Sequence, residues 1–201
     1  MIRFLRISAL VLVFAALCAA SVLLWLSPDP YYAIQEWMHG SRFYSYDSLI
    51  VAAGKKYGVD PMLIKAIVWR ESAFQPDKKG TSGERGLMQV GEAAARDWAH
   101  SEKIETFVPT DLFDPKTNLD AGVWYLRKAL ERAKGRDDAV PFALAEYNAG
   151  RRRVEGWLAK TQLNDAATAY DLERAIDFPS TRQYIEDITE RRRFYQKRGR
   201  L

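Results

Sequence analysis

The chain has 201 residues and a formal net charge of +4, and its 48% hydrophobic and 28% charged residues are typical of a globular protein. The only cysteine, Cys18, lies near the N-terminus, so the chain cannot form an internal disulfide. His39 and His100 are isolated, and neither an HExxH motif nor a Gly-rich nucleotide-binding motif occurs, so we expect no metal site and no cofactor.

The N-terminal segment predicts export. Arg3 and Arg6 precede an uncharged run over residues 7–26, which is long enough to cross a hydrocarbon core of roughly 30 Å. Positive charge before such a span predicts a cytoplasmic N-terminus and an extracytoplasmic remainder. An uncleaved signal anchor fits the length best and places Trp25 at the membrane interface. A cleaved signal peptide and a lipoprotein processed at Cys18 are the alternatives.

Composition along the chain predicts three segments. Residues 1–26 are the signal anchor or signal peptide, and residues 27–45 are an aromatic-rich connector or short helix. Residues 46–201 are long enough for one globular domain with a core of its own, and they contain no internal repeat.

Helical periodicity dominates the domain. The predicted helices cover residues 47–57, 61–72, 92–100, 115–134, 139–147, 151–160 and 181–195. Gly58, Gly135 and Gly150 stand where helix C-caps belong. No alternating pattern requires a sheet, and at most a small β-hairpin lies within residues 79–90. We therefore predict a mainly α domain.

Glu71 lies in the last turn of the predicted helix 61–72. It falls on the same helical face as Ile64 and Val68, which is the face that packs on the core. Burial and the negative end of the helix dipole both disfavour a carboxylate, so we expect a raised pKa. A carboxyl that keeps its proton near neutral pH suits general-acid cleavage of an acetal. From its position alone, however, a helix-end carboxylate without a catalytic role is the simpler interpretation.

Two further segments carry polar groups suited to a sugar. Gly83 and Gly86 permit positive φ angles and a close backbone approach, after which Gln89 can place its amide in a cleft. An amide donates and accepts at once, which suits hydroxyl and acetamido groups. Tyr147 can pack its ring in the core while its hydroxyl faces a ligand, and Asn148 ends the same helix. A solvated turn and an ordinary core tyrosine with a helix cap are the alternatives.

Together and in this order, the motifs resemble the soluble-lytic-transglycosylase (SLT) domain of bacterial cell-wall enzymes, in glycoside hydrolase family 23. The matching pieces are Glu71-Ser72, residues 83–89, residues 114–122, Tyr125-Leu126, residues 147–150 and residues 181–184. The resemblance covers nearly all of residues 46–185. It implies a lysozyme-like helical domain that cleaves MurNAc–GlcNAc bonds of peptidoglycan at the extracytoplasmic, or periplasmic, face of the envelope.

The resemblance also implies an unusual glycosidase chemistry with one catalytic carboxyl, carried here by Glu71. Most glycosidases use two carboxylates. Here the N-acetyl group and then the C6 hydroxyl of the substrate are expected to attack the anomeric carbon, which leaves a 1,6-anhydro end. The substrate-binding residues that the resemblance implies are Ser72, Met88, Gln89, Tyr147 and Asn148. A muramidase that lets water attack and a non-catalytic peptidoglycan-binding module are the alternative functions.

Two departures from the family pattern are visible. Glu92 and Ala94 stand where the family usually has Pro and Thr, and an acid is acceptable there because it stabilises a helix start. Ser180 replaces a glutamate of the late family motif, which removes any role of that glutamate in holding glycan. The expected partners are peptidoglycan strands and, through the N-terminal segment, a membrane. Export argues against nucleic acid.

Overall fold

The computed structural model describes residues 11–18, 20–22, 30–199 and 201. It divides the chain into two units, residues 1–43 and residues 44–201. Residues 11–18 and 20–22 are helical, and the connector contains helix α1 (Pro30–Tyr44). Much of the predicted span 7–26 lies outside the described residues. Within the described part, no helix has the length and apolar character needed to cross a bilayer.

The second unit is helical, as predicted. Its helices are α2 (Asp47–Tyr57), α3 (Pro61–Ser72), α4 (Glu92–Ser101), α5 (Pro115–Arg132), α6 (Ala139–Ala149), α7 (Arg151–Thr161), α8 (Ala169–Ala175) and α9 (Pro179–Arg198), with 3₁₀ turns at Pro109–Phe113 and Asn164–Ala166. All seven predicted helices are present, with ends that differ by at most three residues. In place of a hairpin, residues 79–90 form two isolated antiparallel bridges, Lys79 with Arg85 and Arg85 with Val90.

Helix α3 is the central element of the fold. Its start is fixed by Asp60, whose Oδ1 accepts a hydrogen bond from the Met62 amide at 2.9 Å. Residues 63–68 are all buried, so α3 packs on every side rather than along one stripe. Helix α9 packs against α3 and α6, and α5 packs against α2, α4 and α6. The C-terminal end of α3 thereby lies among elements that are distant in the sequence.

A second apolar cluster supports the other end of α6. It contains Ala133, Phe142, Ala145, Val154, Trp157, Leu172 and Ile176, which come from α6, α7, α8 and the segments beside them. Helix α8 was not predicted because its seven residues cover only two turns, too few for a periodic pattern. Its start is set by Thr168, whose hydroxyl accepts from the Asp171 amide at 3.2 Å.

Candidate active site

A cleft of about 730 Å³ opens at the C-terminal end of α3. Its wall is formed by the end of α3, the loop of residues 78–91, the first two turns of α4, the middle of α5 and the end of α6. The polar side chains that line it are Arg70, Glu71, Lys78, Thr81, Glu84, Gln89, Glu92, Asp97, Tyr125, Tyr147 and Asn148. The volume and the polar lining are those of a small-molecule or sugar site.

Glu71 lies half-buried in the wall of this cleft. Burial raises its pKa from an ordinary 4.5 to about 7, against the opposing effects of a hydrogen bond from Tyr184 and the charges of Arg70 and Lys78. The raised pKa predicted from the helix position is therefore confirmed, and burial is its main cause. A carboxyl with this pKa is divided between its protonated and charged forms at neutral pH, which suits a group that first donates and then accepts a proton.

Tyr184, from α9, donates its hydroxyl hydrogen to Glu71 Oε1 at 2.7 Å. The other oxygen, Oε2, accepts no hydrogen bond from any residue that the structure describes. Burial, followed by the nearby charge of Glu71, raises the pKa of the Tyr184 hydroxyl well above its ordinary value. The phenol therefore remains protonated and available as a donor, so Oε2 is the oxygen free to face a substrate.

Tyr147 lies near Glu71 in the wall of the cleft, but its hydroxyl hydrogen is donated to another group. Its hydroxyl donates to the backbone oxygen of Met88 at 2.9 Å, and its ring contacts Tyr125 edge to face at 5.8 Å. Burial, followed by the charge of Glu71, also raises the pKa of this phenol well above its ordinary value. The hydroxyl hydrogen of Tyr147 is thus bound by the loop, and the Tyr147 side chain forms part of the cleft wall.

Gln89 lines the cleft with a backbone φ of 46°, in the left-handed region that non-glycine residues rarely adopt. Its Nε2 donates to the backbone oxygens of Lys78 at 3.0 Å and Gly86 at 2.9 Å. Both amide hydrogens are therefore used inside the loop. The expectation that Gln89 donates a hydrogen bond to a ligand is therefore wrong. Its carbonyl oxygen remains available to accept one.

Asn148, exposed at the end of α6, complements Gln89. Its Oδ1 accepts the Thr181 hydroxyl at 2.8 Å, which ties α6 to the first turn of α9. The amide nitrogen of Asn148 forms no hydrogen bond with the residues that the structure describes, so its two hydrogens remain for a ligand. The cleft thus offers one amide acceptor and one amide donor, which is what an acetamido group requires.

Two of the predicted binding residues lie behind the wall and not in it. Ser72 is fully buried, and its hydroxyl donates to the Val68 backbone oxygen at 3.1 Å. Met88 is also fully buried and packs so closely on Gly122 that a Cβ there would come within 2.6 Å of its sulfur and 3.1 Å of the Tyr147 hydroxyl. Both residues shape the wall from inside the core.

Asn118 and Tyr184 lie within the family motifs, but the motifs predicted no role for either residue. Asn118 is fully buried on α5 and accepts from the Met88 amide at 2.7 Å. It also donates to the backbone oxygens of Arg85 at 2.7 Å and Leu112 at 2.8 Å. One side chain therefore fastens the loop of residues 78–91 to the core. A polar residue on the buried face of the predicted helix 115–134 was the available signal.

Three further carboxylates line the cleft. Glu84 accepts from the Ser82 amide at 3.1 Å, and Glu92 pairs with Arg96 at 2.8 Å. Asp97 lies one turn further along α4. Across the described residues, no group of three or more His, Cys, Asp or Glu side chains could hold a metal ion. The polar side chains that line the cleft carry carboxyl, hydroxyl, amide and cationic groups.

The comparison with known families identifies the domain. The family model described as the transglycosylase SLT domain matches residues 48–169, which is more than half of the chain. The chain belongs to the SLT family. The family resemblance found in the sequence motifs is confirmed, and the matched residues include all of the predicted site residues.

Relatives of the SLT domain share both sequence and structure with the chain. It is 31% identical over 154 residues to the membrane-bound lytic murein transglycosylase F of Desulfosudis oleivorans, covering 74% of this chain and 32% of the relative. A solved complex of a 70-kDa soluble lytic transglycosylase with bulgecin A matches with a TM-score of 0.69 and 28% identity, over 80% of this chain and 26% of that one.

An inactive Glu-to-Gln mutant of the lytic transglycosylase Slt from Pseudomonas aeruginosa matches with a TM-score of 0.67 and 27% identity, over 78% of this chain and 25% of that one. The chain spans about a third or less of the length of the curated relatives it matches.

Proposed function

We propose that the chain is a lytic transglycosylase that cleaves the β-1,4 bond between MurNAc and GlcNAc of peptidoglycan and leaves 1,6-anhydro-MurNAc ends. The observation that carries the proposal is Glu71, a half-buried carboxyl with a pKa of about 7 that presents one unbound oxygen to a polar cleft. Family membership and the names of the relatives support it. No cofactor is required.

In the first step, the proton on Glu71 Oε2 passes to the oxygen of the leaving GlcNAc. The bond from that oxygen to C1 of MurNAc breaks as the N-acetyl oxygen of the same MurNAc attacks C1. In the second step, the C6 hydroxyl oxygen attacks C1, the bond to the N-acetyl oxygen breaks, and Glu71 takes the hydroxyl proton. Because both nucleophiles belong to the substrate, one protein carboxyl is sufficient.

The remaining predicted site residues bind the substrate or support the wall of the cleft. Gln89 accepts and Asn148 donates a hydrogen bond to substrate acetamido or hydroxyl groups, and Tyr147 forms part of the cleft wall. Ser72 and Met88 support this wall from the core without direct substrate contact. Ser180 is exposed in the first turn of α9, where it has no carboxylate to offer the glycan.

Product analysis tests the proposed function. Purified full-length protein is incubated with peptidoglycan, and the soluble muropeptides are analysed by mass spectrometry. Anhydro ends, lighter than hydrolytic ends by one water, are expected. Reducing ends would favour a muramidase, in which one of the other cleft carboxylates, Glu84, Glu92 or Asp97, could activate water. Absence of cleavage would favour a peptidoglycan-binding module.

We also propose that the domain of residues 46–201 works at the extracytoplasmic face of the bacterial envelope, tethered by residues 7–26 through the connector 27–45. The charge pattern of the N-terminus supports this, and one relative is named as membrane-bound. Fractionation of cells that express the full chain tests the tether. Recovery in the membrane fraction at high salt is expected, and release into the soluble fraction would contradict it.

A further inference from the structure

The helix that carries Glu71 ends in a turn with an uncommon backbone conformation. Ala73 has a φ of 48° and Phe74 has a φ of 62°, so two successive non-glycine residues adopt the left-handed region. Such conformations persist only where the surrounding structure imposes them. Phe74 is fully buried, so the core holds this residue of the turn. The end of α3 itself, at Glu71, is held by a side chain from the loop of residues 78–91.

That side chain is Lys78, which connects the end of α3 to the loop. Its ammonium donates a hydrogen bond to the backbone oxygen of Glu71, one of the last carbonyls of the helix. These carbonyls form the negative end of the helix dipole, which a cation stabilises. The backbone oxygen of Lys78 accepts from the Gly86 amide at 2.9 Å and from Gln89 Nε2 at 3.0 Å. The backbone of Lys78 is therefore fixed by the loop, and its ammonium is fixed by the helix that carries the acid.

Lys78 also brings positive charge close to the Glu71 carboxyl. The charged and titratable groups around this carboxyl are the cleft-lining Arg70, Lys78, Glu84, Glu92, Asp97, Tyr125 and Tyr147, together with Tyr184 on Oε1. Burial raises the pKa of Glu71, and the charges of Arg70 and Lys78 oppose this rise. Arg70 pairs with Asp187 at 2.8 Å, whereas Lys78 forms no ion pair within the part of the chain that the structure describes. Of the two cations that line the cleft, Lys78 is therefore the one without a partner carboxylate.

We propose that Lys78 is a positioning residue for Glu71, which holds the end of α3 in place and stabilises the Glu71 carboxylate between the two proton transfers. The proposal rests on the proposed function, since it concerns the carboxylate that forms when Glu71 has protonated the leaving oxygen. The Lys78 ammonium, bound to the backbone of the same residue, then faces a negative charge that it favours. Lys78 acts through Glu71 and takes part in no bond that forms or breaks.

Lys78→Met tests the proposal, because it keeps an unbranched side chain and removes both the charge and the donor. At the pH optimum, kcat is expected to fall about tenfold because the acid is held less firmly, and KM should change by less than about twofold. The alkaline limb of the pH–rate profile should move to higher pH, since loss of the cation raises the pKa of Glu71. A merely damaged fold would lower kcat without moving the limb.

Lys78→Arg is the conservative variant. It keeps the charge and a donor for the Glu71 carbonyl, so the limb should stay in place and most of kcat should return. Lys79→Met is the matched control, because Lys79 is the exposed neighbour and does not line the cleft. Its kcat and its alkaline limb should equal those of the wild type.

Three results would overturn the proposal. The limb could stay in place in Lys78→Met, Lys79→Met could move it equally, or Lys78→Arg could lose as much activity as Lys78→Met. The first would show that the Lys78 charge does not act on Glu71, the second that any loss of surface charge has the same effect, and the third that charge and donor do not matter. A wild-type chain that releases no muropeptides would instead refute the proposed function, together with this inference.

Discussion

At the scale of single residues, the two largest influences on the pKa of Glu71 oppose each other. Burial favours the neutral acid, and the Tyr184 hydroxyl, bound to Oε1 at 2.7 Å, favours the charged form. The result is a pKa of about 7, close to neutral pH. The same hydrogen bond occupies Oε1. In the proposed function, Oε2 is therefore the oxygen that exchanges protons with the substrate, and Tyr184 both positions the acid and tunes its pKa.

Glu71→Gln is expected to abolish cleavage, because an amide cannot deliver a proton to the leaving oxygen. A loss of about 10³-fold or more is expected in kcat, with glycan binding retained, since general acid–base catalysis typically contributes 10²–10⁴-fold. Muropeptide release and glycan pull-down measure the two effects separately. Glu84→Gln changes another carboxyl of the same cleft and should retain most of the activity. Its inactivation would indicate that two carboxylates take part.

Tyr184→Phe is expected to move the alkaline limb of the pH–rate profile to higher pH. Activity of the wild type should fall as pH rises through about 7, because the first step needs protonated Glu71. Loss of the Tyr184 hydrogen bond destabilises the Glu71 carboxylate and raises the pKa of Glu71 further. The alkaline limb of the profile should therefore move to higher pH. Tyr147→Phe removes a hydroxyl that donates to the Met88 backbone and should leave the limb in place. A limb unchanged in Tyr184→Phe would refute the tuning role.

At the scale of elements, the loop of residues 78–91 depends on its attachment to α5. Gly86 has a φ of 76°, and a Cβ there would overlap the Asn118 amide and the Leu112 backbone oxygen. Gly83 has a φ of 93° with nothing within 4 Å of the same atom. Substitutions at these two positions therefore distinguish the cost of a left-handed backbone from the cost of steric overlap.

Gly86→Ala is expected to lower the free energy of unfolding by about 3 kcal/mol and to reduce activity, because Ala must displace Asn118 and with it the backbone of Met88. Gly83→Ala should cost only about 1 kcal/mol, the strain of the left-handed conformation. Urea unfolding measures both. Equal losses in the two variants would show that the contact with Asn118 contributes nothing.

Local signals in the sequence predicted most elements but not the tertiary contacts of the site. The Asp60 cap and the helical pattern placed Glu71 correctly in the last turn of α3. The hydrogen bond from Tyr184 joins residues 113 positions apart, and no local pattern encodes it. The same holds for Gln89, whose amide hydrogens bind backbone that only the folded loop brings near.

At the scale of the whole molecule, α9 closes the site from the far end of the chain. It brings Tyr184 to Glu71 and Thr181 to Asn148. Arg70 pairs with Asp187 at 2.8 Å, which joins α3 to α9 beside the acid. The site is therefore complete only in the folded domain, and the burial that raises the pKa of Glu71 must be supplied by folding. In the proposed function, stability and catalysis are therefore coupled through this carboxyl.

The contribution of Glu71 to the stability of the domain should consequently decrease as pH rises from about 4.5 to about 7. Glu71 has a higher pKa when folded than its ordinary 4.5, so in this range the folded state binds more protons than the unfolded state. The contribution lost above pH 7 is up to about 3 kcal/mol. Glu71→Gln removes the titrating group. The free energy of unfolding of this variant should therefore exceed that of the wild type by little near pH 4.5, and the difference should grow to a plateau above about pH 7.

Urea unfolding of the wild type and Glu71→Gln at several pH values between about 4.5 and 8 measures this difference directly. Comparing the two proteins cancels the titration of all other groups, provided that both unfold in one step. A difference that stays constant across the range would mean that Glu71 has the same pKa folded and unfolded. In that case, burial would not hold its proton, and the acid would need the bound substrate to do so.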